Sequence, residues 1–404
     1  MPVDFTFHKV GEGLFYSGRI DNFNFVYDCG AQCDSQHKSR HLNSVVDNYT
    51  SALRTAKANV DLLILSHLHE DHVAGLNRLL SQVSVDIVML PYLPPFERLM
   101  VALRRTNLGQ WFRDFLADPV DFLIRKGAKK VILVGGREPS PPEDVPIVRE
   151  RSENEREKLD LDGMPPDEPL RNEVLDNDSQ LKKYDNKELL TKKHAGYAKA
   201  KGIWLFRFFN YRADDSKKAS FIKCVRTIIP TDDIVKVIRN KQKLQLLRQC
   251  YKLLRGDFNN TSLLVYHAPI AWERQEPFYP WNGSVNVASV CLNNELVIHP
   301  HGSIGQFLTG DINLKRKLAE IEIHYSSHLS QIGMILAPHH GSRSSWNGTL
   351  LNKIPKKCSW VTSAGVKSKY HPSPSVIQDI IHSGSTVFKS NELNEISIRG
   401  LVLA

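Results

Sequence analysis

The chain has 404 residues, 41% of them hydrophobic and 24% charged, which suits one large α/β domain or two ordinary ones and excludes a disordered or fibrous protein. No run approaches the length of a membrane span, and the opening MPVDFTFHKV lacks a basic segment followed by an apolar one; both readings favour a cytoplasmic protein with no membrane association. The net charge of +9 favours an anionic partner.

Phe5 to Val10, Gly13 to Ser17 and Asn24 to Tyr27 are short, aromatic and β-branched, and predict an antiparallel meander. A helix is expected over Asn43 to Thr55, then a buried strand at Val60 to Leu65, a helix at Val73 to Leu80 and a strand at Val85 to Leu90. The alternation is that of a layered α/β domain. Arg98 to Lys126 predicts one or two amphipathic helices, and Lys130 to Val134 a strand.

Residues 139 to 178 are rich in proline and acid and without aromatics, so they read as a poorly ordered insertion. Beyond it, Gly202 to Tyr211 predicts a strand and Ile234 to Leu254 one helix bearing a basic stripe. Strands are expected at Ser262 to Tyr266, Glu295 to Ile298, Gln306 to Leu308, Gly333 to Ala337 and Ser359 to Val361, with helices at Leu314 to Ile323 and Pro374 to His382. The six cysteines are scattered, which favours reduced thiols. A lysine run from Lys182 to Lys201, with Tyr184 and Tyr197 interleaved, reads either as a nucleic-acid track or as a solvated face.

The chemistry concentrates at Ser66-His67-Leu68-His69-Glu70-Asp71-His72, between a buried strand and a helix. Three imidazoles and a carboxylate are nitrogen and oxygen donors suited to zinc, manganese or iron. In extended backbone His67 and His69 point the same way and can grip one ion, while Asp71 and His72 aim at a neighbouring position. Further donors must come from elsewhere: Asp311 in Thr309-Gly310-Asp311, His339 and His340 in Pro338-His339-His340-Gly341-Ser342, and His371 before Pro372 each follow an apolar strand, where α/β sheets build sites. Ser342 and Arg343 are placed to hold a phosphate.

This set, HLHEDH, TGD, PHHGS and YHP, resembles the metallo-β-lactamase fold superfamily, and within it the hydrolase domain of ComEC-type DNA-uptake competence proteins. The resemblance covers 1–90 and 258–404, leaving 91–257 as an insertion, acidic over 139–178 and basic and helical over 182–255, with a surface for a protein partner. It implies an αββα sandwich and two divalent ions, zinc or manganese. His67, His69 and His340 would bind the first, Asp71, His72 and His371 the second, and Asp311 would bridge. His339 would face substrate, and Asp71 would orient the attacking hydroxide. The implied function is metal-dependent hydrolysis of phosphodiesters, with DNA as partner. The alternatives are hydrolysis of a small phosphoester or cyclic nucleotide, and an effector role in a multi-protein defence or repair system.

Overall fold

A computed structural model describes residues 1–33, 35–136, 158–184, 187–211, 218–231, 233–252, 262–270, 287–293, 295–298, 304–355 and 358–402. The strands β1 (Pro2–Phe7), β2 (Phe15–Ile20) and β3 (Phe23–Cys29) form the expected antiparallel meander. Helix α1 (Gln36–Thr55) starts seven residues earlier than periodicity suggested, because Ser35 caps it through a hydrogen bond from the Lys38 amide. Strand β4 (Val60–Ile64) follows, fully buried and parallel to β3.

The helix expected from Val73 to Leu80 is two short turns, α2 (Glu70–Val73) and α3 (Leu76–Leu80). Gly75 separates them: its amide donates to the Cys29 carbonyl at 2.8 Å, and a Cβ there would stand 2.8 Å from the Cys29 sulfur. Strand β5 (Val85–Pro91) precedes three helices, α4 (Pro95–Leu103), α5 (Gln110–Ala117) and α6 (Pro119–Arg125), and β6 (Ala128–Val134).

The ranges that follow correct the reading of 91–257 as a separate insertion. β7 (Leu159–Asp160), α7 (Glu168–Asn177), β8 (Leu189–Lys192), β9 (Ala195–Ala200) and β10 (Trp204–Asn210) are regular structure, so only 139–157 of the segment expected to be poorly ordered lies outside the described residues. Apolar positions in the acidic stretch explain the difference, since Leu159, Met164, Leu170 and Val174 are all buried. The range 182–255 is not all helix, and its predicted long helix is α9 (Ile234–Arg239) and α10 (Lys241–Tyr251), preceded by α8 (Lys218–Ile228). Asn240 ends the first and caps the second by accepting from the Lys243 amide.

The chain then gives β11 (Leu263–Pro269), β12 (Val287–Leu292), β13 (Glu295–Ile298), β14 (Gly305–Leu308), α11 (Leu314–Tyr325), β15 (Ile332–Leu336), β16 (Ser359–Ser363), α12 (Pro374–His382), β17 (Thr386–Ser390) and β18 (Ile396–Leu401). Among the described residues these make two sheets, ordered β13-β12-β18-β1-β2-β3-β4-β5-β6-β8 and β17-β16-β15-β14-β11-β10-β9-β7. Strands of the middle segment thus extend both sheets.

Three apolar clusters account for the layering. One joins the first sheet to α1 and α3–α6 and, further out, α8–α10; it includes Val46, Leu63, Leu76, Phe115 and Leu247. A second lies between the sheets, where Phe5, Phe25, Trp204 and Phe206 crowd around His267. The third seats α11 and α12 on the second sheet through Leu318, Ile321, Val376 and Ile380. Helix, sheet, sheet, helix is the expected αββα order, and each buried Phe or Leu contributes about 1.5–3 kcal/mol.

His267 is a core histidine as expected for one outside any motif. It meets the Tyr16 hydroxyl at 2.9 Å and accepts from the Trp204 indole at 3.2 Å, and burial pushes it down to about 3. No described helix is long and apolar enough to cross a membrane.

Cysteine pairing departs from expectation: Cys224 of α8 and Cys250 of α10 form a disulfide across 26 residues of sequence. Cys29, Cys291 and Cys358 are buried thiols. The sequence separation gave no sign of the pair because helix packing creates it. Cys224→Ser is expected to lower the unfolding free energy by about 3 kcal/mol, measured by denaturant melts without reductant; an unchanged midpoint would show that the bridge does not constrain the unfolded chain.

Candidate metal centre

Each motif leaves the carboxyl end of a strand. β3 and β4 are parallel neighbours in one sheet, and β14, β15 and β16 in the other, so Asp28, the His67 loop, Asp311, the His339-His340 pair and Ser363 gather at one edge of the sandwich. The β3 end approaches the histidine loop closely. A Cβ on Gly30 would stand 2.4 Å from the carbonyl carbon of His72 and 2.5 Å from the Val73 nitrogen, so only glycine fits.

Asp311 is the centre. Its Oδ1 lies 3.3 Å from His72 Nε2 and 3.7 Å from His340 Nε2, and its Oδ2 lies 3.7 Å from His67 Nε2 and 3.8 Å from His339 Nε2. Asp71 Oδ2 is 3.7 Å from His340 Nε2. His339 and His340 both hold left-handed backbone, with φ of 49° and 57°. Such strain is uncommon outside glycine and concentrates at functional sites; here it turns both rings toward Asp311.

Donor atoms fall into overlapping groups within 4.8 Å: Asp71, His72, Asp311 and His340 in one, His67, His69 and Asp71 in another, and Asp28, His67 and His72 in a third. Every expected ligand except His371 is in a group. His340 joins Asp71 and His72, rather than the His67 and His69 position to which the resemblance assigned it. His371 stands beside them, its ring 5.6 Å from that of His339 and 5.9 Å from that of His340. Ser342 is buried with its hydroxyl 2.8 Å from that of Ser344, and Arg343 is exposed.

The electrostatics are those of a site built for cations. Burial would raise the Asp311 carboxyl, but His339, His72 and His340 outweigh it and hold it well below its usual range. Burial likewise works against the charged form of His72, while Asp311 and Asp28 override it and raise this imidazole well above its ordinary value. Burial pushes His69 down to about 3, with Arg104 adding to the effect. His67 is also driven well below its usual value, by burial and the adjacent His72.

Supporting residues escaped the sequence reading. Asp28 is fully buried, accepts from the Ser66 amide at 2.6 Å and hydroxyl at 2.5 Å, and faces His72 Nδ1 at 2.7 Å. Glu12 Oε1 meets His371 Nδ1 at 2.6 Å. Arg104, at the end of α4, places a guanidinium nitrogen 2.7 Å from His69 Nδ1. The only signal for any of them was the strand ending in Asp28; Glu12 and Arg104 gave none.

The residues fit a divalent cation. Nε2 atoms of His67, His72 and His340 are buried and make no hydrogen bond, although Asp311 oxygens lie 3.3–3.7 Å away. Buried polar atoms left this way cost stability unless something coordinates them. Three imidazoles aimed at carboxylates form the mixed N/O donor set of zinc or manganese.

Comparison with known proteins agrees with this geometry. Residues 17–160 match the family model of the metallo-beta-lactamase superfamily. No curated protein matches the chain. Similar solved structures include the metallo-beta-lactamase fold protein YhfI from Bacillus subtilis, 10% identical with a TM-score of 0.32 and covering 97% of this chain and 98% of that one. Another is human tRNase Z, short form, 10% identical with a TM-score of 0.34 and covering 98% of each. The matched segment holds β2 to β6 and the whole HLHEDH loop, and the two sheets with helices on both outer faces carry it as the family's fold does: the chain belongs to the metallo-β-lactamase superfamily.

Proposed function

We propose that this protein is a metal-dependent phosphodiesterase that takes two divalent ions and acts on nucleic acid, DNA being the substrate to test first. The observation that carries the reading is the convergence of three hydrogen-bond-orphaned imidazole nitrogens on Asp311 and Asp71. His67 and His69 would hold one ion and Asp71, His72 and His340 the other, with Asp311 within reach of both. A closely spaced ion pair lowers the pKa of water towards neutrality and neutralises charge building on phosphorus.

The chain's own residues would do the rest. Asp71 takes the proton of the attacking water, and His339 serves the leaving oxygen. His339 is the more open of the adjacent pair, at 13% side-chain exposure against 3% for His340, and its Nδ1 is 3.0 Å from the Ser345 hydroxyl. With Nδ1 so engaged, Nε2 is the atom that delivers a proton.

The phosphodiester reading draws support from the site and not from the lysine run. Lys183 pairs with Asp121, Lys201 with Asp21 and Lys236 with Asp233, while Lys199 lies over the Tyr197 ring. Those charges are compensated within the fold. Near the metal centre, by contrast, Arg104 and Lys218 line the pocket beside His67 and His69.

The test is cleavage of linear and circular DNA and of a short diester, with and without chelator. His69→Ala is expected to reduce the metal-restored rate by about 10²-fold or more, through loss of a ligand. Retention of wild-type cleavage in that variant, or indifference to chelator, would remove the assignment. Turnover of the short diester with none of either DNA would move the substrate to small phosphoesters.

A further inference from the structure

We infer that the pocket between α4, α8 and α10, beside His67 and His69, seats an anionic phosphate group of the substrate, and that Arg104 is the residue that reads it. The inference rests on the hydrolytic reading of the adjacent centre and deepens it by naming what is recognised and by which side chain.

Charge is the first ground. The pocket holds two cationic side chains, Arg104 and Lys218, against one acidic one, Glu97. Its histidines add no negative charge. Lys218 Nζ is committed to Glu97 Oε1 at 2.6 Å, with side-chain exposures of only 9% and 13%, so that pair is a fixed element of the wall. The positive excess therefore resides on Arg104. Met100 and Tyr251 supply the less polar surface, which strengthens any charge pair formed inside.

Position is the second. The Arg104 guanidinium nitrogen lies 2.7 Å from His69 Nδ1 and 3.3 Å from Nε2. Arg104 is nevertheless exposed as a residue, because it sits at the C-terminal cap of α4 and reaches inward from there. A lone pair on His69 cannot serve both a guanidinium and a divalent ion. When His69 becomes a ligand, the guanidinium faces like charge at short range and has an open route to turn into the pocket. An anion placed between the ion and Arg104 satisfies both cations, and the planar fork of arginine matches a phosphate in two-point fashion.

Local origin is the third. Arg104, Lys218 and Tyr251 all come from the middle third of the chain, outside the HLHEDH, TGD and PHHGS motifs. The motifs supply donors for the ions, and the helices packed over them supply selection.

The experiment uses the full-length, metal-loaded protein with inorganic phosphate as probe, followed by isothermal titration, and compares Arg104→Met with Arg104→Lys. Arg104→Met is expected to weaken phosphate binding about 10-fold or more, because a charge-assisted contact is lost. Arg104→Lys should stay within about 3-fold of wild type, since the charge is kept. Metal content and melting temperature should be unchanged in both. With bis(4-nitrophenyl) phosphate the same loss should appear chiefly in KM. Equal phosphate affinity in Arg104→Met, or no phosphate binding by wild type, overturns the inference. So does loss of bound metal in Arg104→Met, which would make the arginine a positioning residue for His69. If wild type binds phosphate in an Arg104-dependent way but cleaves no diester, the pocket stands and the phosphodiesterase reading falls.

Discussion

Asp311→Asn is expected to reduce hydrolysis by about 10³-fold, and to lower the metal content of the purified protein. One carboxylate here faces four imidazoles, with His72 and His340 on Oδ1 and His67 and His339 on Oδ2. Asparagine keeps the volume, yet it removes the negative charge and replaces one acceptor oxygen by a donor NH₂. That donor would be aimed at imidazole nitrogens whose lone pairs a cation needs. Kinetics on a diester and elemental analysis on the same preparation are the measurements. A variant that keeps its full metal complement and turns over at even a tenth of the wild-type rate would show that the centre does not depend on this bridge.

The second large effect is expected at a residue with no direct role in the reaction. Asp28→Ala should destabilise the protein by about 3–5 kcal/mol, the cost of breaking a buried ion pair from one side, and should weaken metal binding about 10- to 100-fold, as loss of the support behind a ligand does. Asp28 ends β3 in left-handed backbone, φ 58°, and is fully buried. One oxygen accepts the Ser66 amide, and the other meets the Ser66 hydroxyl and His72 Nδ1. Removing it frees the start of the histidine loop and leaves His72 without the group that fixes its ring. Denaturant melts of the metal-free protein and a metal titration against a chromogenic chelator separate the two effects. A melt within about 1 kcal/mol of wild type would contradict the buried-pair account.

What the sequence disclosed, and what it did not, divides by contact range. The HLHEDH loop is legible because six adjacent residues carry the donors, and the αββα layering is legible because alternation and apolar runs are local signals. Strand Glu295–Ile298 and helix Pro374–His382 fall where they were expected for the same reason. Glu12 against His371 joins residues 359 apart, and Arg104 against His69 joins residues 35 apart; no spacing rule reaches either. The middle third misled because its acidic, proline-rich composition outweighed a few well-placed apolar residues. Leu159 pairs with Ala200 and Val131 with Leu189, so a segment taken for an appendage extends both sheets. His340 shows a subtler limit: which of two adjacent imidazoles turns inward depends on backbone dihedrals that composition does not encode.

Strand β18 runs between β12 and β1, pairing with both. During synthesis the first strand therefore waits for residues some four hundred positions away, its outer edge bare until nearly the whole polypeptide has left the ribosome. Glu12 and His371 are separated by the same long interval. A cell making this protein thus carries no half-finished nuclease: catalytic competence arrives in a single late event, and the intervening exposure of a hydrophobic sheet margin makes chaperone dependence the natural companion of that safety.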